Sequence, residues 1–223
     1  MTHRQVGKGN AVCLNTLFDH NRIGVVLAAH GVKPPVRIEN SVAEFSPGAW
    51  MPGLEVSRFA DGEARYIGLT RRTGQPDGSM MLEFGESREL YDIRAGSHLG
   101  RRDTLQTSLG ASNVSLYALL PYRVGGMNVD LPGKRHAPGQ PITGQIVLDT
   151  GGHKPVRHII NLQVTRPDGQ TVEYLSQNVE TKTGRAHFEI PLCLNEPDGK
   201  WQIRFVDVAT GTDKVVEVRV LKE

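Results

Sequence analysis

The chain has 223 residues, of which 38% are hydrophobic and 22% charged, with a formal net charge of +2. This length gives one large or two ordinary domains with buried cores, and the 25 glycines and 13 prolines favour many turns and few long helices. Because the net charge is small and both signs are interspersed, composition gives no electrostatic reason to expect a nucleic-acid or membrane partner.

The first ten residues, MTHRQVGKGN, lack the apolar stretch that a secretory signal requires. We therefore expect a cytoplasmic chain unless it is part of a longer protein, whose compartment stays open and includes the periplasm or the exterior. No apolar run approaches the roughly 20 residues that span a bilayer. Cys13 and Cys193 lie far apart in the sequence, and we interpret them as two buried thiols rather than as a disulfide.

Residues 6–31 are predicted to form a strand followed by a helix. Gly7-Lys8-Gly9 lacks the flanks of a phosphate-binding loop and follows no predicted strand, so we interpret it as a tight turn. The apolar run 11–14 predicts a buried strand, and the apolar residues between 17 and 28 predict a helix that ends at Gly31. A single strand and helix cannot bury their own faces, so they pack on the following domain or lack their natural neighbours.

Alternation of apolar and polar residues resumes at Val36 and continues to about residue 120, which predicts a compact antiparallel β domain. Its predicted strands and turns are a hairpin through Ala60-Asp61-Gly62-Glu63, a turn over 74–79, a strand over 80–84, a hairpin from 89–94 through 95–97, and a strand over 113–120. The pairs Arg71-Arg72 and Arg101-Arg102 are isolated, and we interpret them as solvated strand ends rather than a phosphate-binding patch.

Seven segments in the last hundred residues alternate apolar and polar residues with a period of two: Met127 to Leu131, Ile146 to Leu148, Ile160 to Val164, Val172 to Tyr174, Ala186 to Ile190, Trp201 to Phe205 and Val216 to Val220. Such a pattern buries one face of each strand, and turns between the segments predict a two-sheet sandwich, which we interpret as Ig-like. Trp201 is in phase with Ile203 and Phe205 and is therefore predicted to be a core residue.

The predicted fold class is thus mainly β, with a strand-helix remnant of an α/β domain over 1–33, an antiparallel β domain over 34–120 and an Ig-like β-sandwich over 121–223. The linker Pro121-Tyr122-Arg123 is too short and apolar to be flexible, so we expect the two β domains to pack rigidly.

Residues that carry chemistry are present but scattered. The eight histidines show no metal-binding spacing, so a surface or loop position is predicted for each, with His187 on the polar face of its strand. No G-x-S-x-G motif marks a nucleophilic serine. We predict no catalytic residue, metal site or cofactor.

Carboxylates are candidate catalytic groups because glycoside hydrolysis needs two of them flanking the scissile bond. They are also candidate metal ligands. Asp61 with Glu63, or a pair from Glu83, Glu86, Glu89 and Asp92, would supply such chemistry, but hairpin ends and solvated strand faces carry carboxylates routinely. Asp149 to Gly152 and Asp168-Gly169 offer too few oxygen ligands at loop spacing for calcium.

Trp50 is the candidate carbohydrate-binding residue. It lies in the Pro- and Gly-rich loop 46–53, where its ring would stack on a sugar or pack at a domain junction. We favour packing and keep carbohydrate contact as the alternative.

The order of these parts resembles a known family. Gly7 to Asn15, the helix ending near Gly31-Val32 and the following Pro-Val-Arg-Ile look like the end of the flavodoxin-like trimerisation domain of β-galactosidase-like glycoside hydrolases. Phe59 to Leu69 and Glu89 to Arg94 look like the C-terminal β modules of large bacterial relatives, and Ala118 to Val124 looks like the start of their final Ig-like sandwich.

The resemblance implies that the catalytic glutamates lie on an N-terminal (β/α)₈ barrel, which 223 residues with one predicted helix do not contain. We therefore expect a non-catalytic structural or interaction module that positions a catalytic domain of the same or a neighbouring polypeptide. A carbohydrate-binding module, an independent hydrolase and a surface or adhesin-like β-sandwich protein are the alternatives.

Overall fold

The computed structural model describes residues 2–13, 26–27, 29–31, 37–40, 54–71, 78–109 and 113–221. Most of these residues are in β-strands and few are helical, which confirms the mainly β fold class. The chain divides into two compact units. Unit 1 contains Met1–Val56, Leu69–Ser87 and Arg102–Val114, and unit 2 contains Ser57–Gly68, Arg88–Arg101 and Ser115–Glu223. The domain boundaries predicted at residues 33 and 120 stay a prediction.

The strands of the described residues form four sheets. The first half of the chain contains β1 (Thr2–Val6), β2 (Gly9–Cys13), β3 (Arg37–Asn40), β4 (Leu54–Asp61), β5 (Ala64–Arg71), β6 (Gly78–Asp92), β7 (Ser97–Leu109) and β8 (Val114–Leu120). β1 and β2 pair with each other, and the other six form a sheet in the order β3-β6-β8-β5-β4 with β7 paired to β6.

The second half contains β9 (Gly126–Asp130), β10 (Arg135–His136), β11 (Ile142–Asp149), β12 (His158–Thr165), β13 (Gln177–Thr181), β14 (Arg185–Ile190), β15 (Gly199–Asp207) and β16 (Asp213–Val220), with a 3-10 turn over Glu173–Leu175. Five strands form a sheet in the order β10-β16-β15-β12-β13, and three form a sheet in the order β14-β11-β9.

The N-terminal hairpin of unit 1 differs from the prediction. Gly7, with φ of +59°, lies in the predicted tight turn, but this turn follows strand β1 and joins it to β2 in an antiparallel pair. Within the described residues β2 pairs with β1 alone, and Ala11 and Cys13 are exposed, so the predictions of a buried strand and of a buried Cys13 thiol are wrong. A two-stranded ribbon leaves both faces open to solvent.

Only the last turn of the predicted N-terminal helix lies within the described residues. Val26, Leu27 and Ala29 are helical, and the His30 N–H donates to the Val26 carbonyl at 3.2 Å. Gly31 follows with φ of +75°, which is the left-handed conformation of a helix C-cap and agrees with the predicted helix end. Leu14, the rest of the helix, Arg72 and residues 74–77 of the turn predicted over 74–79 lie outside the described residues.

Unit 1 also contains a buried arginine. Arg71 is 4% exposed, and its guanidinium donates from Nη1 to the Leu109 carbonyl at 3.2 Å. The interpretation of Arg71 as a solvated strand end is therefore wrong, because β5 continues through Arg71 beside the buried end of β7.

β6 is longer than predicted. Residues 80–84 and 89–92, which the sequence suggested as separate strands, belong to one strand of 15 residues that contains Gly85 at φ of +76°. The predicted hairpin after Asp92 is confirmed, with Gly96 at φ of +60° and the Asp92 carboxylate accepting from the Ala95 N–H at 2.9 Å.

In unit 2 the five- and three-stranded sheets enclose a core that includes Trp201, Ile203 and Phe205, all 0% exposed. This confirms Trp201 as a core residue. Phe188 of β14 meets Phe205 edge to face with ring centroids 4.9 Å apart, so the two sheets interdigitate as a sandwich does.

Six of the seven predicted sandwich strands are present, and the seventh is wrong. Val172 bonds to Val164, but residues 173–175 form a 3-10 turn and the strand begins only at Gln177. Val172 and Leu175 are both buried, a spacing of three that a 3-10 turn provides and a strand does not.

Two hairpin ends that belong to unit 2 pack directly on the sandwich. At the β4–β5 turn, Asp61 pairs with Arg157 at 2.6 Å. At the β6–β7 turn, Gly96 lies so close to Gly211 that a Cβ on Gly211 would clash with the Gly96 backbone. These contacts fix both hairpin ends onto the loops between sandwich strands.

Candidate functional site

A network of buried polar side chains surrounds His158 in unit 2. His158 Nε2 lies 2.9 Å from the Tyr122 hydroxyl, and Nδ1 lies 3.0 Å from Oδ2 of Asp207. The Asp207 carboxylate also accepts from the Thr210 hydroxyl at 2.6 Å, and the Tyr122 hydroxyl accepts from the Val156 N–H at 2.8 Å. The side chains of His158 and Asp207 are 0% exposed.

The direction of these hydrogen bonds follows from the state of Tyr122. Burial raises the pKa of Tyr122 to about 12, so its hydroxyl keeps its proton at neutral pH. Because the Val156 N–H already donates to this oxygen, the hydroxyl donates its own proton to His158 Nε2. His158 therefore carries its proton on Nδ1 and donates it to Asp207, which satisfies every polar group in the chain of bonds.

The order of carboxylate, imidazole and hydroxyl in this network is the order found in hydrolytic triads. A triad needs its hydroxyl open to substrate, whereas Tyr122 is 2% exposed and His158 has no exposed side-chain surface. The network is therefore closed to a substrate, and it joins the segment at Tyr122 to β12 and β15.

The prediction of a surface or loop position is wrong for His158. His158 opens β12 in phase with the buried residues Ile160 and Leu162, and Asp207 ends β15 in phase with Ile203 and Phe205. The period-two pattern contained this signal, because a polar residue in phase with an apolar stripe points into the core.

A second buried carboxylate, Glu196, connects the loop between β14 and β15 to the segment between β12 and β13. Glu196 is 1% exposed, and it binds Nη2 of Arg166 at 2.8 Å and the Tyr174 hydroxyl at 2.7 Å. The hydrogen bond to Glu196 raises the pKa of both Arg166 and Tyr174. Arg166 lies over the Trp201 ring at 5.9 Å, so this ion pair caps the core from outside.

An open groove of about 530 Å³ lies on the three-stranded sheet β14-β11-β9. Its lining comprises Asp130, Pro132, Thr143, Gly144, Gln145, His187, Phe188 and Glu189. Thr143 and Gln145 alternate with the buried residues Ile142 and Ile146 along the middle strand, so they face out of the sandwich. His187 is exposed on the neighbouring strand, as predicted from its position opposite Phe188 in the alternation.

Most of the candidate carboxylates form ion pairs or hydrogen bonds within the fold. Asp61 pairs with Arg157, and Glu89 binds His98 at 2.8 Å and Arg101 at 3.6 Å. The calcium candidates Asp149 and Asp168 accept hydrogen bonds from backbone N–H groups of their own turns, and Asp92 does the same. Glu63 and Glu86 are exposed and Glu83 is half-buried, so these residues do not form a catalytic pair in a cleft.

No group of three or more histidine, cysteine or carboxylate side chains converges on a metal position in the described part of the chain. Cys193 is exposed, so the prediction of a buried thiol is wrong here too, and Cys13 and Cys193 are not joined in a disulfide. Trp50 lies outside the described residues. None of the described helical residues belongs to a helix long and apolar enough to cross a membrane.

Comparisons with known proteins give only distant likenesses. No family model matches the chain, and no curated protein matches it. Solved structures similar to it include a Salmonella alpha-2-macroglobulin mutant, with 16% identity, a TM-score of 0.37, and coverage of 77% of this chain and 12% of that one. The Yersinia pseudotuberculosis adhesin InvE has 15% identity, a TM-score of 0.36, and coverage of 72% of this chain and 55% of that one.

A putative β-galactosidase from Bacteroides fragilis is similar to 71% of this chain, which covers 33% of that protein, with 12% identity and a TM-score of 0.28. The chain therefore spans only part of the length of each of these three proteins. At these identities and TM-scores, the likenesses support no statement about the activity of this chain.

Proposed function

We propose that this chain is a non-catalytic, rigid structural module of a glycoside-hydrolase-like protein, and that it positions a catalytic domain of the same or a neighbouring polypeptide. The observation that carries the proposal is the buried Tyr122–His158–Asp207 network. It ties the segment that enters the sandwich at Tyr122 to the start of β12 and the end of β15.

Rigidity is supported by the way this segment is held on both sides. The N–H of Val124, the residue after Arg123, donates to the Tyr91 hydroxyl at 2.9 Å. Tyr91 is 1% exposed. The segment 121–124 is thus fixed to β6 and to β12, and a module with a fixed entry segment transmits orientation rather than acting as a flexible tether.

The nature of the parent protein rests on the sequence resemblance, and on its C-terminal part in particular. The stretches that carry it are Phe59 to Leu69, Glu89 to Arg94 and Ala118 to Val124. They contain the hairpin ends of unit 2 and the segment that precedes its sandwich, which is the position they would have before an Ig-like sandwich. The antiparallel β1–β2 hairpin does not support the N-terminal part, because a flavodoxin-like sheet is parallel.

Rigidity is testable by distance measurement within unit 2. In a Cys13→Ser, Cys193→Ser background, spin labels at Ala95→Cys and Gln170→Cys lie on two exposed turns, one at a hairpin end and one at the far end of β12. We expect a narrow distance distribution that broadens when Asp207→Ala removes the acceptor for His158 and Thr210. A broad distribution in the parent chain contradicts a rigid module.

The absence of catalysis is a separate test. Purified chain at high concentration is incubated with a panel of nitrophenyl glycosides, and we expect no turnover above a buffer blank. Saturable hydrolysis that co-purifies with the chain and disappears on substitution of a single carboxylate would establish an independent hydrolase and overturn the proposal.

A further inference from the structure

We infer that the groove on the three-stranded sheet is a binding site for a neutral oligosaccharide. Five polar side chains line it: Asp130, Thr143, Gln145, His187 and Glu189. Within the described part of the chain, none of these side chains has a hydrogen-bond or ion-pair partner. This inference goes beyond the proposed structural role and does not depend on it.

The sheet register fixes how these groups are spaced. Gln145 of β11 is directly opposite both His187 of β14 and Asp130 of β9, and Thr143 is opposite Glu189. With strands about 4.8 Å apart and residues about 3.4 Å apart along a strand, the Cα atoms of His187 and Asp130 lie roughly 10 Å apart and those of Asp130 and Glu189 roughly 12 Å apart. The polar groups therefore form a grid that fits two consecutive sugar rings rather than a point ligand.

Donors and acceptors alternate across this grid. The carboxylates of Asp130 and Glu189 only accept hydrogen bonds, whereas the Gln145 amide, the Thr143 hydroxyl and the His187 imidazole carry donors as well. A sugar hydroxyl also donates and accepts, so a row of hydroxyls can satisfy all five side chains. Pro132 is exposed beside them and offers apolar ring surface to the C–H face of a sugar.

A cationic ligand fits the same groups less well. The Cα atoms of Asp130 and Glu189 lie roughly 12 Å apart, and no group of three metal-ligating side chains converges within the described residues. The side chains of a lysine- or arginine-rich peptide supply donors only, so the Gln145 and His187 donors would have to bond to its backbone carbonyls. The mixture of groups therefore favours an uncharged polyol over a basic peptide.

The experiment is a titration of isotopically labelled chain, followed by amide NMR, with cellohexaose, xylohexaose, mannohexaose, maltohexaose and galactotetraose, and separately with an oligolysine peptide. We expect at least one sugar to shift the backbone signals of residues 143–145 and 187–189. Gln145→Ala should weaken that binding by about threefold to tenfold, the equivalent of one hydrogen bond.

Gln163→Ala is the matched control. Gln163 is an exposed glutamine on a middle strand of the other sheet, and its substitution should leave the affinity unchanged. Asp130→Asn provides a second groove variant if Gln145→Ala does not fold, and Trp50→Ala tests the alternative carbohydrate contact.

Several results would overturn the inference. The first is the absence of signal shifts with all five sugars at 10 mM, which is on the order of the weakest useful affinity. The second is a set of shifts that neither Gln145→Ala nor Asp130→Asn changes. The others are binding that is lost only in Trp50→Ala, and shifts of the groove signals with oligolysine alone. The distance distribution between spin labels is unaffected by any of these outcomes, so this inference and the proposed structural role fail separately.

Discussion

Substitution of Tyr122 by phenylalanine should destabilise the sandwich more than any other removal of a single hydroxyl in its core. Tyr122→Phe deletes the acceptor of the Val156 N–H and the donor to His158 Nε2. An unsatisfied buried group costs about 1–3 kcal/mol, which applies to the fully buried His158 ring. Val156 is only half-buried, so its N–H regains water and costs about 0.5–1.5 kcal/mol. We therefore expect a loss of about 1.5–4.5 kcal/mol in unfolding free energy.

Tyr91→Phe is the matched control because Tyr91 is equally buried and its hydroxyl accepts one bond, from the Val124 N–H. It should cost about 1 kcal/mol less than Tyr122→Phe. Urea unfolding at pH 7 in a Trp50→Phe background follows the fluorescence of Trp201, which is fully buried in unit 2. If Tyr122→Phe lowers the unfolding free energy no more than Tyr91→Phe does, then the two hydrogen bonds of the Tyr122 hydroxyl do not both contribute to stability.

Three further outcomes are expected. The folded chain holds the Tyr122 proton to about pH 12 whereas the unfolded phenol releases it near pH 10, so the contribution of Tyr122 to the unfolding free energy should stay level below pH 10 and fall from pH 10 to 12. Gly211→Ala should cost at least about 3 kcal/mol, because its Cβ would meet the Gly96 backbone, while Gly169→Ala, with open space, should cost about 1 kcal/mol. Glu196→Ala should lower the urea midpoint because it removes a buried acceptor of two donors.

Each of these outcomes has a direct check. Urea titrations from pH 8 to 12 should show a shallower alkaline decline in Tyr122→Phe than in the parent, and equal slopes would contradict the assignment. Equal costs at Gly211 and Gly169 would show that the backbones are not in close contact. Glu217 pairs with Lys200 on an exposed face, so Glu217→Ala should move the midpoint far less than Glu196→Ala does.

Alternation identified the sandwich well because six of its strands have one face in the core and one in solvent. Trp201, Ile203 and Phe205 are the clearest case, since a period of two carries them all inward. The same rule placed His187 correctly on the outer face. It failed at Val172 and Leu175, where two buried residues are separated by three positions and a local turn replaces the strand.

The polar interior was missed for a different reason. A histidine or an aspartate is usually exposed, and only its phase with neighbouring apolar residues shows that it is buried. Arg71 illustrates the same limit, because its burial depends on the end of a strand 38 residues further along the chain. The groove also required the register, since Asp130 and Gln145 face each other only because β9 pairs with β11.

Unit 2 is built from three separate stretches of chain, and this has a consequence for its synthesis. Asp61 is 96 residues ahead of its partner Arg157. A ribosome that adds about 5–20 residues per second makes the first hairpin roughly 5–20 s before that partner exists. The nascent hairpins must wait through this interval with their future contact surfaces uncovered, so holding chaperones and translation speed should govern the yield of correctly assembled protein.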